Sequence, residues 1–324
     1  MEEKRIYDIK PFDRFALGTC MEYGYIPMFT YFGGTEFEYF LNKWTYFHYM
    51  DDHFCISTAD QTDFEKLLLS HGIEATLVME YEENIIDKIL KSLDEGALIM
   101  LRVSGAEAYE VETGYKTEKS LSEHWILCYG YDKQTREFDI LEHRTNVAAA
   151  YKHCRIPFDD YAEAYRSLNK DREESSLSQI IMRRIEEVDT DIDFQSEYLK
   201  RRAGNLAGFD LSNRCLMHMM DTLKEEAEHE EEFESDYVLI FTEIIKYCQR
   251  ELWLLETAGM PYDSTELIKQ LNIVRTFVMK CSLYPSARVY AQLAKHVVLA
   301  EEQFRLFNGY IEGILKGVAV LEMA

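Results

Sequence analysis

The sequence predicts an α+β protein in two parts. Residues 1–170 should form a domain built on an antiparallel sheet, and residues 171–324 an all-α bundle. Three observations predict this. Up to about residue 170, short apolar runs bounded by turn or charged residues are interspersed with short helical patterns. Beyond it, long tracts keep helical spacing and are joined by short breaks. Between the two, Lys170-Asp171-Arg172-Glu173-Glu174-Ser175-Ser176 is polar and aperiodic and marks the boundary. At 324 residues the chain is long for one domain and suits two, and its 47% hydrophobic content supplies sizeable cores.

In the first part, strands are expected over 75–80, 97–103, 124–131 and 137–141, and helices over 35–44, 62–71 and 84–93. Gly72 suits the C-cap that ends the second of these helices. Ile85, Ile86, Ile89, Leu90 and Leu93 recur at helical spacing until Glu95-Gly96 stops the run. Residues 131–136 read as a hairpin loop, so the strands on either side should pair antiparallel. After residue 170 everything reads as helix: 194–228 with a break near 204–208, then 233–258 ending at Gly259, then 265–281 capped by Ser264, then a helix from Pro285 to about 315.

The formal net charge of -24 argues against nucleic acid and against an anionic membrane surface, both of which need a basic face. Its first consequence is solubility, and it also attracts cations, a small amine among them. No run reaches the roughly 20 apolar residues of a membrane span, and Met1-Glu2-Glu3-Lys4-Arg5 lacks a signal-peptide core, so a cytoplasmic protein is expected. The seven cysteines are scattered without CxxC pairs, which fits reduced thiols rather than disulfides or zinc.

One constellation carries chemistry. In Leu17-Gly18-Thr19-Cys20-Met21-Glu22-Tyr23-Gly24 the cysteine stands where a helix can begin. The partial positive charge of a helix N-terminus favours thiolate, the competent nucleophile. His124 opens a strand and can serve as base. The next strand, Phe138-Asp139-Ile140-Leu141-Glu142, offers an acid to orient it. Side-chain alternation puts Glu142 on the face of Phe138 and Ile140 and turns Asp139 away, so Glu142 is preferred as third member and Asp139 stands second. Tyr23, Tyr25, Phe29, Tyr31 and Phe32 read as core, some of them lining a pocket. Glu22, Tyr23 and Tyr31 are the expected substrate-binding residues.

This order of cysteine, histidine and acid resembles the papain-like cysteine-peptidase superfamily, and more closely the N-terminal domain of the butirosin-biosynthesis H type. The residues that carry the resemblance are Gly18-Thr19-Cys20, Tyr31-Phe32-Gly33-Gly34-Thr35-Glu36, Gly96-Ala97-Leu98-Ile99-Met100 and His124-Trp125-Ile126-Leu127-Cys128-Tyr129-Gly130-Tyr131-Asp132. It spans roughly residues 15–165 and leaves out the helical half. It implies a papain-like fold and an acyltransferase that moves an acyl chain from a carrier-protein phosphopantetheine thioester, through Cys20, to an amine. It implies no cofactor beyond that phosphopantetheine. The family's usual acid is Asp, and here Glu142 takes its place. Many papain-like enzymes place a glutamine oxyanion donor upstream of the cysteine. No glutamine precedes Gln61, so the Cys20 N–H needs another donor beside it. Pro27 should shorten or kink the nucleophile helix.

Docking an acidic carrier needs a basic patch, and Arg183-Arg184 and Lys200-Arg201-Arg202 are the compact candidates. The helical half has three open duties: capping the active site, docking the carrier, or building a homodimer. Two further signals are discounted. Glu226-Ala227-Glu228-His229 matches half of a di-metal motif without a second copy, in a tract read as a solvated turn. His48, Asp51, Asp52 and His53 lack metal-ligand spacing, so no metal is expected. The competing functions are a cysteine peptidase or amidase using the same triad, and a non-catalytic binding module in which Cys20 is core.

Overall fold

The structure is a computed structural model that describes residues 3–17, 19–51, 53–105, 123–143, 151–170, 176–188, 191–230 and 236–322, the side chains of His143 and of 318–322 excepted. It is mixed α+β: the described residues form nine strands, all paired antiparallel, and ten helices. By its contacts the chain divides into two units, Met1–Tyr39 with Thr62–Thr190, and Phe40–Gln61 with Asp191–Ala324.

The first unit holds a seven-stranded sheet. Its members are β1 (Lys4–Ile6), β4 (Ile73–Val78), β5 (Leu98–Ser104), β6 (Glu123–Asp132), β7 (Glu137–His143), β8 (Tyr151–Pro157) and β9 (Gln179–Arg184). Their order is β4-β9-β5-β6-β7-β8, with β1 also on β6. β5 and β6 are the most deeply buried; Ile99, Met100, Leu101, Ile126 and Leu127 are all within 1% of full burial. The expected β6–β7 hairpin is present. Its turn is fixed by the Asp132 carboxylate, which accepts from the Gln134 and Thr135 N–H groups at 3.0 and 3.3 Å.

The helices of this unit are α1 (Cys20–Tyr31), α2 (Glu36–Asn42, which continues into the second unit), α3 (Phe64–Ser70), α4 (Ile85–Asp94) and α5 (Phe158–Asn169). Gly72, at φ +64°, ends α3 as expected, and Gly96, at φ +83°, follows the end of α4. Pro27 does not end α1, which runs on through it for twelve residues in all. The proline has no N–H for the Tyr23 carbonyl, but Tyr23, Gly24, Ile26, Met28 and Phe29 are buried, and that packing outweighs one missing hydrogen bond.

Two expectations change. The helix expected to reach residue 44 stops at Asn42, and Lys43-Trp44-Thr45-Tyr46-Phe47-His48-Tyr49-Met50 becomes β2, paired along its whole length with β3 (His53–Asp60). Aromatic and β-branched side chains favour a strand there. The reading of all residues past 170 as helix fails at β9, which lies inside the sheet between β4 and β5. Gln179-Ile180-Ile181-Met182 is a short apolar run of the kind an interior strand needs.

The second unit contains the β2–β3 hairpin and five helices, α6 (Phe194–Ala203), α7 (Leu206–Glu228), α8 (Tyr237–Thr257), α9 (Thr265–Leu283) and α10 (Ala287–Glu322). α9 packs on α8 and α10, and α10 on α7. Ser264 stands at the N-cap of α9, but the Asp263 carboxylate takes the cap hydrogen bond, from the Thr265 N–H at 3.1 Å. Inside this unit Arg202, 2% exposed, meets Glu251 through two hydrogen bonds of 2.7 and 3.2 Å. No helix among the described residues is long and apolar enough to cross a membrane.

Candidate active site

Cys20 is the first residue of α1. Thr19 caps that helix with a box: its hydroxyl accepts from the Glu22 N–H at 3.4 Å, and the Glu22 carboxylate accepts from the Thr19 N–H at 3.2 Å. Glu22, expected to bind substrate, is therefore occupied in holding the helix start beneath the thiol. Its negative charge in the first turn also opposes the helix dipole's positive end. Gly18 lies outside the described residues.

His124 is the second residue of β6. The β6–β7 register pairs Leu127 with Leu141 and Cys128 with Ile140; carried one step further, it sets Glu142 opposite Ile126. His124 is then the diagonal neighbour of Glu142 on one face of the sheet, within reach of a long side chain. Nε2 of His124 lies 2.7 Å from Oε2 of Glu142, and both side chains are largely buried. The imidazole also hydrogen-bonds the Cys20 side chain. With Nε2 engaged by Glu142, Nδ1 is the nitrogen left for the sulfur. Asp139, the second choice for the acid, is committed elsewhere, to Arg155 Nε at 3.1 Å.

The electrostatics follow from this geometry. Burial raises the Cys20 thiol, but the hydrogen bond and charge of His124, together with the backbone N–H groups of Trp125 and of Cys20 itself, bring it below its ordinary value. Burial lowers His124, yet its hydrogen bonds to Cys20 and Glu142 and their charges push it up to about 10. Both directions favour the thiolate–imidazolium form of the pair, with a carboxylate behind the imidazole. Other cysteines differ: burial pushes Cys128 and Cys248 far above the usual thiol range, and Cys281 up to about 11. Cys20 remains partly exposed.

Tyr23 flanks this centre. Its ring stacks on Tyr151 with centroids 4.2 Å apart, and its hydroxyl accepts from the Leu17 N–H at 3.0 Å. Tyr151, the first residue of β8, lies with its ring 6.3 Å from that of His124. Burial, then the charges of Glu142 and Cys20, raises its phenol well above the ordinary value, so it stays protonated. Sequence reasoning missed Tyr151, because nothing local distinguishes it from the chain's other tyrosines. The Thr19-x-x-Glu22 box was readable and was also missed. Tyr31 is not brought to the site. It is the last residue of α1, eleven positions or about 16 Å of helix rise from Cys20, and rests on Tyr7 and Phe32.

Both basic clusters have engaged members, while Arg183, Arg184 and Lys200 remain exposed. Arg183 pairs with Glu74, and Arg184 donates to the Phe32 carbonyl. Arg202 is buried on Glu251, and Arg201 and Lys200 both pair with Glu197. Among the described residues no three His, Cys, Asp or Glu side chains converge as a metal ion would require; Asp52 of the discounted loop lies outside them. No protein-family model and no curated protein matches this chain.

Proposed function

We propose that the chain is a cysteine-dependent acyltransferase that makes amide bonds. The observation that carries the reading is the arrangement of His124, hydrogen-bonded to Cys20 on one side and 2.7 Å from Glu142 on the other. The nucleophile at a helix start, with base and acid on neighbouring antiparallel strands, also supports a papain-like fold for the sheet unit.

In the first half-reaction the Cys20 thiolate attacks the carbonyl of an acyl thioester borne on the phosphopantetheine of an acyl or peptidyl carrier protein. The tetrahedral intermediate collapses as the C–S bond to phosphopantetheine breaks, and the imidazolium of His124 gives its proton to the departing thiolate. His124, now neutral, takes a proton from the incoming amine as its nitrogen attacks the acyl-Cys20 carbonyl. Expulsion of the Cys20 thiolate yields the amide and restores the ion pair. Glu142 stays ionised and steadies the imidazolium in both halves. The Cys20 N–H, at the start of α1, is one donor to the oxyanion. The Tyr23–Tyr151 stack gives the site an aromatic wall against which an acyl chain can lie. Within the butirosin-type family, a chain of this two-part length resembles the amide synthetase of closthioamide assembly, whose acceptor is a diamine.

The test is intact-mass analysis after incubation with an acylated carrier protein. An acyl adduct on Cys20 that an added amine discharges as amide supports the proposal. An adduct discharged only as free acid makes the chain a hydrolase of the peptidase or amidase kind. A wild-type Cys20 that takes up no acyl group and resists iodoacetamide leaves a binding module.

A further inference from the structure

A cavity lies within the second unit and is lined by none of the residues around Cys20 and His124. It measures about 790 Å³ and opens between the β2–β3 hairpin, α7 and the first turn of α8. Its walls are of two kinds. Tyr49 and Phe54 from the hairpin and Tyr237 from α8 give aromatic surface; Tyr49 and Phe54 meet edge to face with centroids 5.6 Å apart. Glu226 supplies a half-buried carboxylate from α7, and Asp236 a second at the α8 N-terminus. The Tyr49 phenol is raised by burial, then by the charges of Cys215 and Glu226, which places the Glu226 carboxylate near that aromatic wall.

His218, Thr222 and Glu226 all line the cavity and recur every fourth residue of α7, so one stripe of that helix faces it. Among the described residues lining it there is no lysine or arginine. Its histidines and acids do not converge as metal ligands. An anion would meet two carboxylates, with only the imidazoles of His53 and His218 to offset them. A positively charged group would find a carboxylate beside aromatic rings, the two features that stabilise an ammonium ion when water is partly excluded. The net charge of -24 raises the local concentration of such ligands. Asp236 offsets the partial positive charge of the α8 N-terminus, so Glu226 is the principal counter-charge.

We propose that this cavity binds a small organic cation, an alkylammonium whose charged end rests beside Glu226 and whose carbon chain lies against Tyr49, Phe54 and Tyr237.

Isothermal titration of the full chain with cadaverine, choline and, as an anionic control, hexanoate tests it. The expected result is saturable one-site binding of at least one cation, weaker at high salt. Glu226→Gln and Tyr237→Leu should each weaken it tenfold or more, with circular dichroism confirming that both variants are folded. Cys20→Ala should leave it unchanged, which separates this site from the proposed acyl transfer. The proposal is overturned if neither cation binds saturably, if hexanoate binds as tightly as the cations, or if folded Glu226→Gln binds them as the wild type does.

Discussion

Replacing Glu142 by glutamine keeps the size of the side chain and an oxygen that can accept from His124, but removes the charge. His124 is pushed up from 6.5 to about 10. That rise is worth roughly 5 kcal/mol at about 1.4 kcal/mol per pKa unit. Cys20 and Glu142 both contribute, each by a hydrogen bond and a charge. Neutralising Glu142 removes one of the two partners that hold the imidazolium against burial, and lowers His124 from that value. A weaker imidazolium also releases the Cys20 thiol toward its ordinary value of about 8.5. The pH window in which Cys20 is a thiolate while His124 is still protonated therefore narrows from both sides. The assay is the rate of Cys20 alkylation by iodoacetamide, followed by intact mass across pH. In the wild type the thiolate persists below the ordinary thiol pKa. In Glu142→Gln the rate at pH 6 should fall on the order of tenfold or more, as one pKa unit is a factor of ten. Folding must be checked alongside, because the new amide N–H₂ sits where Glu142 is 5% exposed and needs a partner. Superimposable profiles in two equally folded proteins would refute the role given to Glu142.

Three other outcomes follow from the same structure. Thr19→Ala removes the acceptor for the Glu22 N–H, should destabilise the protein by about 1 kcal/mol in urea unfolding, and should raise the apparent pKa of Cys20 alkylation as the start of α1 frays. Gly72→Ala forces an alanine to φ +64° with its Cβ against the Glu186 carbonyl oxygen, and should cost roughly 2 kcal/mol or more, read as a lower urea midpoint. Arg202→Met strands the buried Glu251 carboxylate and should cost roughly 3–5 kcal/mol, whereas adding Glu251→Leu should recover most of the loss; a double variant no more stable than the single would contradict the pairing.

The parts of the fold that were legible share a physical trait: their signal is local. The β6–β7 hairpin announces itself in a polar six-residue loop between two apolar runs, and α3 and α4 end on glycines that the structure holds at positive φ. What was not legible depends on distant partners. β9 is a short apolar run after a polar stretch, and only its place between β4 and β5 makes it a strand. The β2–β3 hairpin was hidden because Lys43–Met50 directly follows a helix and has no turn residue before it. Pro27 is the converse case, a strong local signal that packing of the buried α1 face overrode.

The site divides along the same line. Cys20, His124 and Glu142, which the structure brings together, were singled out from local elements: a helix start, a strand start, and the face of the next strand shared with Phe138 and Ile140. The reach between His124 and Glu142 is a matter of register: the shift between Cys128 and Gly130, which no local signal announces, brings Glu142 opposite Ile126 and so onto the face of His124. Tyr31 lies away from the thiol: an aromatic run on a helix gives residue types and no distance along the axis, and eleven helical positions separate the two. Glu22 is a different case. A carboxylate three residues after a threonine at a helix start has a structural use that competes with substrate, and the capping box takes it. Tyr151 could come only from the fold, since β8 delivers it to Tyr23 and His124 across the sheet. The candidate site thus combines Cys20 and His124, singled out from local sequence, with a Tyr23–Tyr151 stack assembled by topology. On the proposed acyl transfer, substitutions at Tyr151 should change which acyl chains are accepted while leaving the alkylation profile of Cys20 intact. A Tyr151→Leu variant that lost thiolate reactivity as fully as Glu142→Gln would mean that the tyrosine supports the ion pair itself.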